Sequence, residues 1–275
     1  MMSSYGFRKF KNHLFFIVCA ICVVIAVIPL ASILLEVVVR GAPQLSLTFL
    51  TTASANGGIG HAIQGTLILV GLTSIVGIPI GVLSGVYISE FGDNRYAQSL
   101  RTINNILTQF PSIIVGITAY GIIVFTFRTF SAIAGALALG FILIPIVTRT
   151  TEESLKLIPN SIREASLALG AHKWRTIINV VLPAAKNGLI TGVLLAVSRI
   201  AGETAPLIMT ILGNGYFFQG IDRPMAALPL EIWKNSLQPY PALQARGWGA
   251  ALILILMVLT INIAVRLVSR SRMKT

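Results

Sequence analysis

Charged side chains are scarce in this chain of 275 residues. They make up 11% of the sequence, and only 9 of them are acidic, whereas 55% of all residues are hydrophobic. A soluble domain carries about 25% charged residues, because water must solvate its surface. The composition therefore excludes a soluble globule and predicts an integral membrane protein.

Residues that build metal centres and disulfide frameworks are also few. Cys19 and Cys22 both lie in the first apolar run with no second pair, so we interpret them as small apolar helix residues. His13, His61 and His172 are isolated in sequence and offer no metal-ligand cluster. The sequence also lacks a nucleotide phosphate loop, an H-E-x-x-H motif and a G-x-S-x-G elbow. We therefore predict a non-catalytic chain that binds no metal and no cofactor itself.

Six apolar runs are long enough to cross the roughly 30 Å hydrocarbon core of a membrane, which takes about 20 residues of helix. Hydrocarbon offers no partner to unpaired backbone groups, and the runs are too uniformly apolar for barrel strands, so each run should be helical. The sequence thus predicts an all-α membrane fold of six transmembrane helices, with a short N-terminal segment, 1–13, before a single domain, 14–275. The runs cover residues 14–39, 63–89, 104–127, 130–148, 185–212 and 248–268.

Basic residues are distributed unevenly between the two ends of these runs. The net charge of +12 does not form a basic stripe interleaved with aromatics, so nucleic acid is not expected as a partner. Fifteen of the 21 Lys and Arg residues flank the runs on the side that holds the N-terminus, and five lie on the other side. Because cytoplasmic segments carry the excess of Lys and Arg, we expect both termini and the segment 150–184 to be cytoplasmic.

Glycine, proline and aromatic residues mark special points along the chain. Five glycines and Pro79 in the second run predict a kink and close packing, against the third run or a partner chain. Pro111 in the third run predicts either a hinge near a transport path or a packed kink. Segment 40–62 is predicted to be a loop, and the aromatic-rich segment 213–247 suits an interfacial layer or a docking surface.

A polar segment, 163–170, separates the fourth and fifth runs. Its composition favours a short helix, which Gly170 can end by adopting a positive φ. A basic segment, 172–176, follows, and Leu182-Pro183 should open the next helix, because proline is favoured near a helix start.

This segment resembles the EAA loop of ABC importer permeases. The family pattern is Glu-Ala-Ala, three residues, Gly, nine residues and Ile-x-Leu-Pro, and here Ser166 and Val180 depart mildly from it. In the family the loop forms a coupling helix that sits in a groove of the ATPase. The resemblance therefore implies a coupling site for a separate ATPase subunit, made of Glu164, Ala165, Ser166, Gly170, Leu182 and Pro183.

Residues 198–206, Ser-Arg-Ile-Ala-Gly-Glu-Thr-Ala-Pro, resemble the phosphate-specific subgroup of these permeases, the PstA type, and residues 87–90 extend the likeness loosely. The resemblance implies a type I ABC importer permease core for inorganic phosphate in a bacterial or archaeal cell membrane. It also implies a second homologous permease subunit, an ATP-binding subunit dimer that holds ATP and Mg, and an extracytoplasmic phosphate-binding protein. A permease for another oxyanion, such as molybdate, sulfate or a phosphonate, and a non-transporting scaffold or sensor subunit are the alternatives.

Charged residues in and beside apolar sequence are the candidate substrate path or gate. Arg199 and Glu203 lie four apart, which puts them on one face of a helix, and a lipid-facing charge near a helix centre costs about 2.5–3.5 kcal/mol. Arg199 would offer its guanidinium to phosphate oxygens, with Thr204 or Ser198 adding hydrogen bonds; a purely structural ion pair is the alternative. The resemblance also makes Arg149 and Glu152, three apart on one helical face, candidate path or gate residues, against a snorkelling arginine with a solvated acid.

Overall fold

The computed structural model describes residues 4–92 and 94–271, and most of them are helical. This confirms the all-α prediction. Two π-helical turns, Tyr120–Val124 and Ile177–Val181, stand between the α-helices whose bounds follow. The helices are α1 (Ser4–Gly41), α2 (Leu47–Thr51), α3 (Gly60–Glu90), α4 (Arg95–Gln109), α5 (Ser112–Ala119), α6 (Phe125–Phe127), α7 (Ala132–Lys156), α8 (Asn160–Ala168), α9 (Lys173–Thr176), α10 (Leu182–Ala201), α11 (Ala205–Thr210), α12 (Leu228–Ser236) and α13 (Pro241–Ser271).

Among the described residues, 5 helices are long and apolar enough to cross a membrane: α1, α3, α7, the continuous α9–α10 and α13. The sixth span requires α4 to be counted together with Ser112–Phe127, and these two helices are bent by 106°. The prediction of six spans is confirmed with that broken span included. The prediction that residues 104–127 form one helix is wrong.

The break in the third run falls at Phe110 and Pro111, which are both extended with ψ values of 131° and 134°. Proline lacks an N–H and disfavours helical geometry in the residue before it, so α4 ends at Gln109 and α5 begins at Ser112. A bend of 106° is a break between two helices and not the kink within one helix expected from Pro111. The chain instead turns sharply from a polar, amphipathic α4 into an apolar helix.

The fifth run begins earlier than predicted. One helix runs from Lys173 to Ala201, so Leu182 and Pro183 lie inside it and do not open it. The π-helical turn Ile177–Val181 precedes the proline. Such a turn accommodates Pro183, whose missing N–H leaves a carbonyl of the preceding turn without its usual donor.

The fifth run also ends earlier than predicted, because the helix stops at Ala201 and Gly202 caps it. A new, short helix, α11, starts at Ala205 with Pro206 in its first turn. Proline is favoured at such a position, since its ring fixes a helical φ and its missing N–H is not needed there. The prediction of one span over 185–212 is therefore wrong beyond residue 201.

Glycine allows α3 and α7 to approach closely. A Cβ added at Gly81 would lie 2.7 Å from the Val147 Cβ, and one at Gly85 would lie 2.6 Å from the Thr148 carbonyl oxygen. The predicted close packing is confirmed, but the neighbour is the fourth run and not the third. The core around this contact contains Leu69, Leu139, Leu143, Ala196, Ile200 and Leu207.

Helix α1 lies at the edge of the bundle, and its longest apolar stretch is exposed throughout. It packs on α13 near its end, where a Cβ at Gly41 would lie 2.8 Å from the Trp248 carbonyl oxygen and 2.9 Å from the Leu252 Cβ. A helix that is apolar on all sides requires lipid or another membrane chain around it.

Short helices occupy the segments between the spans. Segment 40–62 contains α2, which Ser46 caps by accepting a hydrogen bond from the Phe49 N–H at 3.1 Å, so the loop prediction is only partly right. Segment 213–247 contains α12 and the first turns of α13. We call the end of the bundle that carries α8 and α9 the hairpin end, and the end that carries α2 and α12 the opposite end.

Candidate functional site

Helices α8 and α9 form a hairpin, residues 160–176, around Gly170. As predicted, Gly170 has a positive φ, of 80°. A Cβ added there would meet nothing within 4 Å, so glycine is required for its conformation and not for space. The hydroxyls of Ser166 and Thr176 lie 2.9 Å apart and join the two arms. Ser166, one of the two departures from the family pattern, therefore helps to close the hairpin.

The outer face of this α8–α9 hairpin is open to its surroundings. Glu164 and Ala165 are exposed on α8, and Leu169 at the turn is 90% exposed. Trp174 on α9 is also exposed and carries the Arg175 guanidinium 5.2 Å from its ring centre. Large apolar side chains displayed beside charged ones are typical of a protein-docking surface. The other two predicted coupling residues, Leu182 and Pro183, lie beyond the hairpin in α10.

Arg199 and Glu203 meet where α10 ends. The Arg199 Nε lies 3.5 Å from the Glu203 Oε1, and the Arg199 side chain is 63% exposed against 16% for Glu203. Glu203 follows the helix cap at Gly202, so the prediction that both residues share one helix face is wrong. The two side chains still meet because the backbone stays near helical through Gly202, and the Glu203 N–H donates to the Ile200 carbonyl oxygen at 3.3 Å. A single long contact leaves most of the guanidinium fork available to an anion.

Thr204 lies in the same break between α10 and α11. Its carbonyl oxygen accepts hydrogen bonds from the N–H groups of Leu207 and Ile208, at 3.1 Å each, and so starts α11. Its hydroxyl makes only a 3.5 Å contact with the Gly202 carbonyl oxygen. The half-buried hydroxyl is therefore available to a third partner beside Arg199.

Arg149 and Glu152 do not pair with each other. The exposed Arg149 donates from Nε to Glu153 at 2.9 Å, one helical turn along α7. The buried Glu152 instead accepts from Arg101 Nη2 of α4 at 3.0 Å and from Lys156. The sequence identified the charged end of α7 but not the ion-pair partners of its residues, because Arg101, the partner of Glu152, belongs to α4.

An open crevice of about 460 Å³, lined by both apolar and polar side chains, lies between α7 and α10 at the hairpin end. Polar side chains in a membrane-spanning helix avoid lipid, so this face should border water or another protein chain. The crevice begins next to the Arg149–Glu153 pair and follows α10 toward Arg199. Its polar lining residues are Thr150, Glu153, Ser154, Asn187 and Thr191.

Sequence reasoning missed a buried charged cluster at the opposite end. Glu231 of α12 lies 3.6 Å from His61 Nε2 of α3 and 3.5 Å from Arg246 Nη2 of α13. Arg246 also donates to the Gly58 carbonyl oxygen at 2.7 Å. All three charged or titratable side chains are nearly buried. Nothing in the local sequence links residues that lie so far apart, so only the fold reveals this cluster.

The cluster keeps Glu231 ionised. Burial by itself raises the pKa of this carboxyl, but the adjacent His61 and the Arg246 guanidinium outweigh burial and hold the pKa below its usual range. A buried ion pair that loses one partner leaves an uncompensated charge, which is strongly destabilising. The cluster therefore fixes α3, α12 and α13 to one another.

The family of the chain follows from comparison with known proteins. Residues 77–274 match the family model described as the binding-protein-dependent transport system inner membrane component. The Haemophilus influenzae phosphate transport system permease protein PstA is 41% identical over 265 residues, with 94% of each chain covered. The probable phosphate transport system permease protein PstA of Methanocaldococcus jannaschii is 36% identical over 264 residues, again with 94% of each chain covered.

Solved structures show the same fold. One chain in the crystal structure of a bacterial alginate ABC transporter, in complex with an alginate pentasaccharide-bound periplasmic protein, has a TM-score of 0.72 at 15% identity and covers 96% of each chain. A chain of the inward-facing MetNI methionine ABC transporter has a TM-score of 0.64 at 21% identity and covers 82% of this chain and 99% of that one. These similarities confirm the predicted type I ABC importer permease fold. The chain belongs to the family of binding-protein-dependent transport system inner membrane components.

Proposed function

We propose that this chain is a membrane permease subunit of an ATP-driven importer for inorganic phosphate. The names of its relatives support the substrate, since two of them that cover 94% of this chain are phosphate permeases. The observation that carries the proposal is the open guanidinium of Arg199 at the break between α10 and α11. A planar, permanently charged fork matches the oxygens of a tetrahedral oxyanion in pairs.

Arg199 binds the ion during its passage, and Glu203 competes with it. When the path is empty, the Glu203 carboxylate at 3.5 Å neutralises the guanidinium. An arriving phosphate displaces that carboxylate, and the returning carboxylate weakens retention so that the ion leaves. The Thr204 hydroxyl adds a hydrogen bond from the break itself.

The charged end of α7 acts as a gate. Glu152 joins α7 to α4 through Arg101, and Arg149 pairs along α7 with Glu153 beside the crevice. Ion pairs between two helices make and break when the helices shift, so they suit a constriction that alternates between two arrangements. Arg149 at the crevice also presents a positive charge to an anion that moves between the gate and Arg199.

The α8–α9 hairpin docks a separate ATPase subunit through its exposed face. Two ATP-binding subunits hold ATP and Mg, and this chain supplies no catalytic group. Because one hairpin serves one ATPase subunit, a second homologous permease completes the path. The hairpin end and both termini face the cytoplasm of a bacterial or archaeal cell, and an extracytoplasmic binding protein delivers phosphate at the opposite end. Closure of the ATPase dimer draws the two hairpins together and switches access to the path.

Uptake of labelled phosphate tests this function. The complex is produced with Arg199→Gln, and assembly is checked by pull-down of the ATPase subunit. We expect assembly to be unchanged and uptake to fall at least about tenfold, the loss of ~1.4 kcal/mol of interaction. The matched control is Arg40→Gln, which removes another arginine that pairs with a glutamate four residues away, at the edge of the bundle.

Three outcomes would contradict parts of the proposal. If uptake persists in a complex that assembles with Arg199→Gln, the Arg199–Glu203 pair has only a structural role. If excess sulfate or molybdate competes as strongly as unlabelled phosphate does, the importer accepts other oxyanions as substrates. A wild-type complex that assembles with the ATPase but takes up no oxyanion identifies a scaffold or sensor subunit.

A further inference from the structure

The carboxylate of Glu90, the last residue of α3, lies almost completely buried against Arg163 of α8. The Arg163 Nη2 donates to Glu90 Oε1 at 2.9 Å, and the Nε donates to both carboxylate oxygens at 3.3 and 3.4 Å. The Glu90 side chain is 6% exposed and that of Arg163 is 18% exposed. A forked, shielded pair of this kind holds its geometry far better than an exposed ion pair does.

Arg163 also holds the end of α7. Its Nη1 donates to the Ile158 carbonyl oxygen at 2.6 Å, and its Nη2 donates to the Leu155 carbonyl oxygen at 2.9 Å. Leu155 lies in the last turn of α7 and Ile158 lies two residues beyond its end, a region where a helix favours a positive charge. One guanidinium therefore connects the end of α3, the end of α7 and the first arm of the hairpin.

The second arm of the hairpin contacts the same residue of α3. The Lys173 Nζ of α9 donates to the Glu90 backbone carbonyl oxygen at 2.8 Å and lies 4.1 Å from the centre of the Phe91 ring. Arg163 and Lys173 stand on either side of the Gly170 turn. Glu90 is thus held from both arms, through its side chain and through its backbone.

We propose that Glu90 is a positioning residue that makes the α8–α9 hairpin and α3 move as one body. The inference rests on the proposed function, because it concerns how movement of a docked hairpin reaches the path. The hairpin is joined to Glu90 at two points, and α3 packs so closely on α7 that a Cβ added at Gly85 would lie 2.6 Å from the Thr148 carbonyl oxygen. A displacement of the hairpin by the ATPase is then transmitted to α3 and α7 and is not absorbed by bending of the connecting segments.

The amount of phosphate taken up per ATP hydrolysed, the coupling ratio, distinguishes this role from a purely structural one. Phosphate uptake and ATP hydrolysis are measured in proteoliposomes that contain the complete complex with Glu90→Gln, which keeps the shape of the side chain but removes its charge. We expect the ATPase subunit to remain bound and ATP hydrolysis to continue. Uptake per ATP hydrolysed should fall at least about fivefold, the lower end of ordinary coupling between sites.

Two further variants sharpen the test. Glu36→Gln, which breaks an exposed ion pair with Arg40 in α1, should leave the coupling ratio unchanged. If Glu90 acts through Arg163, Glu90→Gln combined with Arg163→Gln should lower the ratio no further than Arg163→Gln alone. An unchanged ratio in assembled Glu90→Gln overturns the inference while the proposed function stands. A wild-type complex without uptake of phosphate overturns the proposed function instead.

A cross-link keeps the inference testable if Glu90→Gln does not assemble. Cys19 and Cys22 are replaced by serine, cysteines are introduced by Glu90→Cys and Arg163→Cys, and a bismaleimide of matching length joins them. Because the two positions move together, the cross-linked complex should regain uptake relative to the unlinked pair. Loss of uptake on cross-linking would show that the contact must open during transport, and the inference would then be wrong.

Discussion

Gly116 of α5 and Pro206 of α11 lie in van der Waals contact: a Cβ added at Gly116 would stand 2.7 Å from the Pro206 Cα. Each residue belongs to a short helix that follows a break in an apolar run, at residues 110–111 and 202–204 respectively. The two breaks are therefore packed against each other. Since Arg199 lies one turn before the second break and Glu203 lies within it, the first break supports the geometry of the candidate anion site.

Gly116→Ala should consequently destabilise the protein. The added methyl group meets backbone atoms, which cannot move aside as a flexible side chain does, and overpacking of this kind costs about 1–3 kcal/mol. The thermal unfolding midpoint in detergent measures the loss. Gly140→Ala in α7 is the matched control, because a Cβ there meets nothing within 4 Å. An equal midpoint for the two variants would contradict the close contact.

Substitution at Gly170 should act through backbone conformation alone. Its φ of 80° is costly for residues with a Cβ, by about 1–2 kcal/mol, while asparagine tolerates this region best. We expect Gly170→Val to lose binding of the ATPase subunit in pull-down experiments while the chain still inserts into the membrane. Gly170→Asn should retain most of the binding. If both variants bind equally well, the turn does not position the hairpin.

The sequence predicted features that depend on local chemistry. The apolar runs, the hairpin and the positive φ of Gly170 follow from length, composition and the special freedom of glycine. The breaks at Pro111 and at residues 202–204 were harder to predict, because the hydropathy of the sequence stays high through both although the helix is interrupted there. Proline signals at 111 and 206 mark both places, but a proline is equally compatible with a kink.

Contacts between distant segments were beyond sequence reasoning. The glycines of α3 predicted close packing without specifying α7 as the neighbour. Arg149 and Glu152 looked like partners from their spacing, yet Glu152 binds Arg101 across the α4–α7 contact. His61, Glu231 and Arg246 each resemble ordinary surface or interface residues until the fold brings them together.

The Glu231 cluster should make stability depend on pH in the acid range. The pKa of Glu231 is lowered in the folded state from an ordinary value of 4.5, so its carboxylate stabilises the fold above that value. This contribution is lost as the pH falls through the lower, folded-state pKa. We expect the unfolding midpoints of wild type and Glu231→Gln to differ at pH 7 and to converge below about pH 4.

The comparison needs a control because other carboxylates titrate in the same range. Glu153→Gln removes an exposed carboxylate whose ion pair lies at the hairpin end. Its unfolding midpoint should follow that of the wild type closely at every pH, since exposed pairs contribute about 0–1 kcal/mol. A difference between wild type and Glu231→Gln that persists undiminished as the pH falls below about 4 would mean that the carboxylate charge is not what stabilises the cluster.

Arg199→Lys distinguishes recognition by a fork from attraction by a charge. Lysine keeps the positive charge and can still approach Glu203, but it presents a compact ammonium group without the planar pair of donors. If the path requires bidentate contact with phosphate, uptake should fall at least about tenfold, whereas a site that needs only charge should lose little. Uptake is measured over a range of phosphate concentrations, with the ATPase subunit quantified in the same preparation. The salt bridge with Glu203 can still form in this variant. A large loss of uptake in a fully assembled complex would therefore show that the guanidinium binds the ion through its paired donors. Full uptake would show that the site requires only a positive charge.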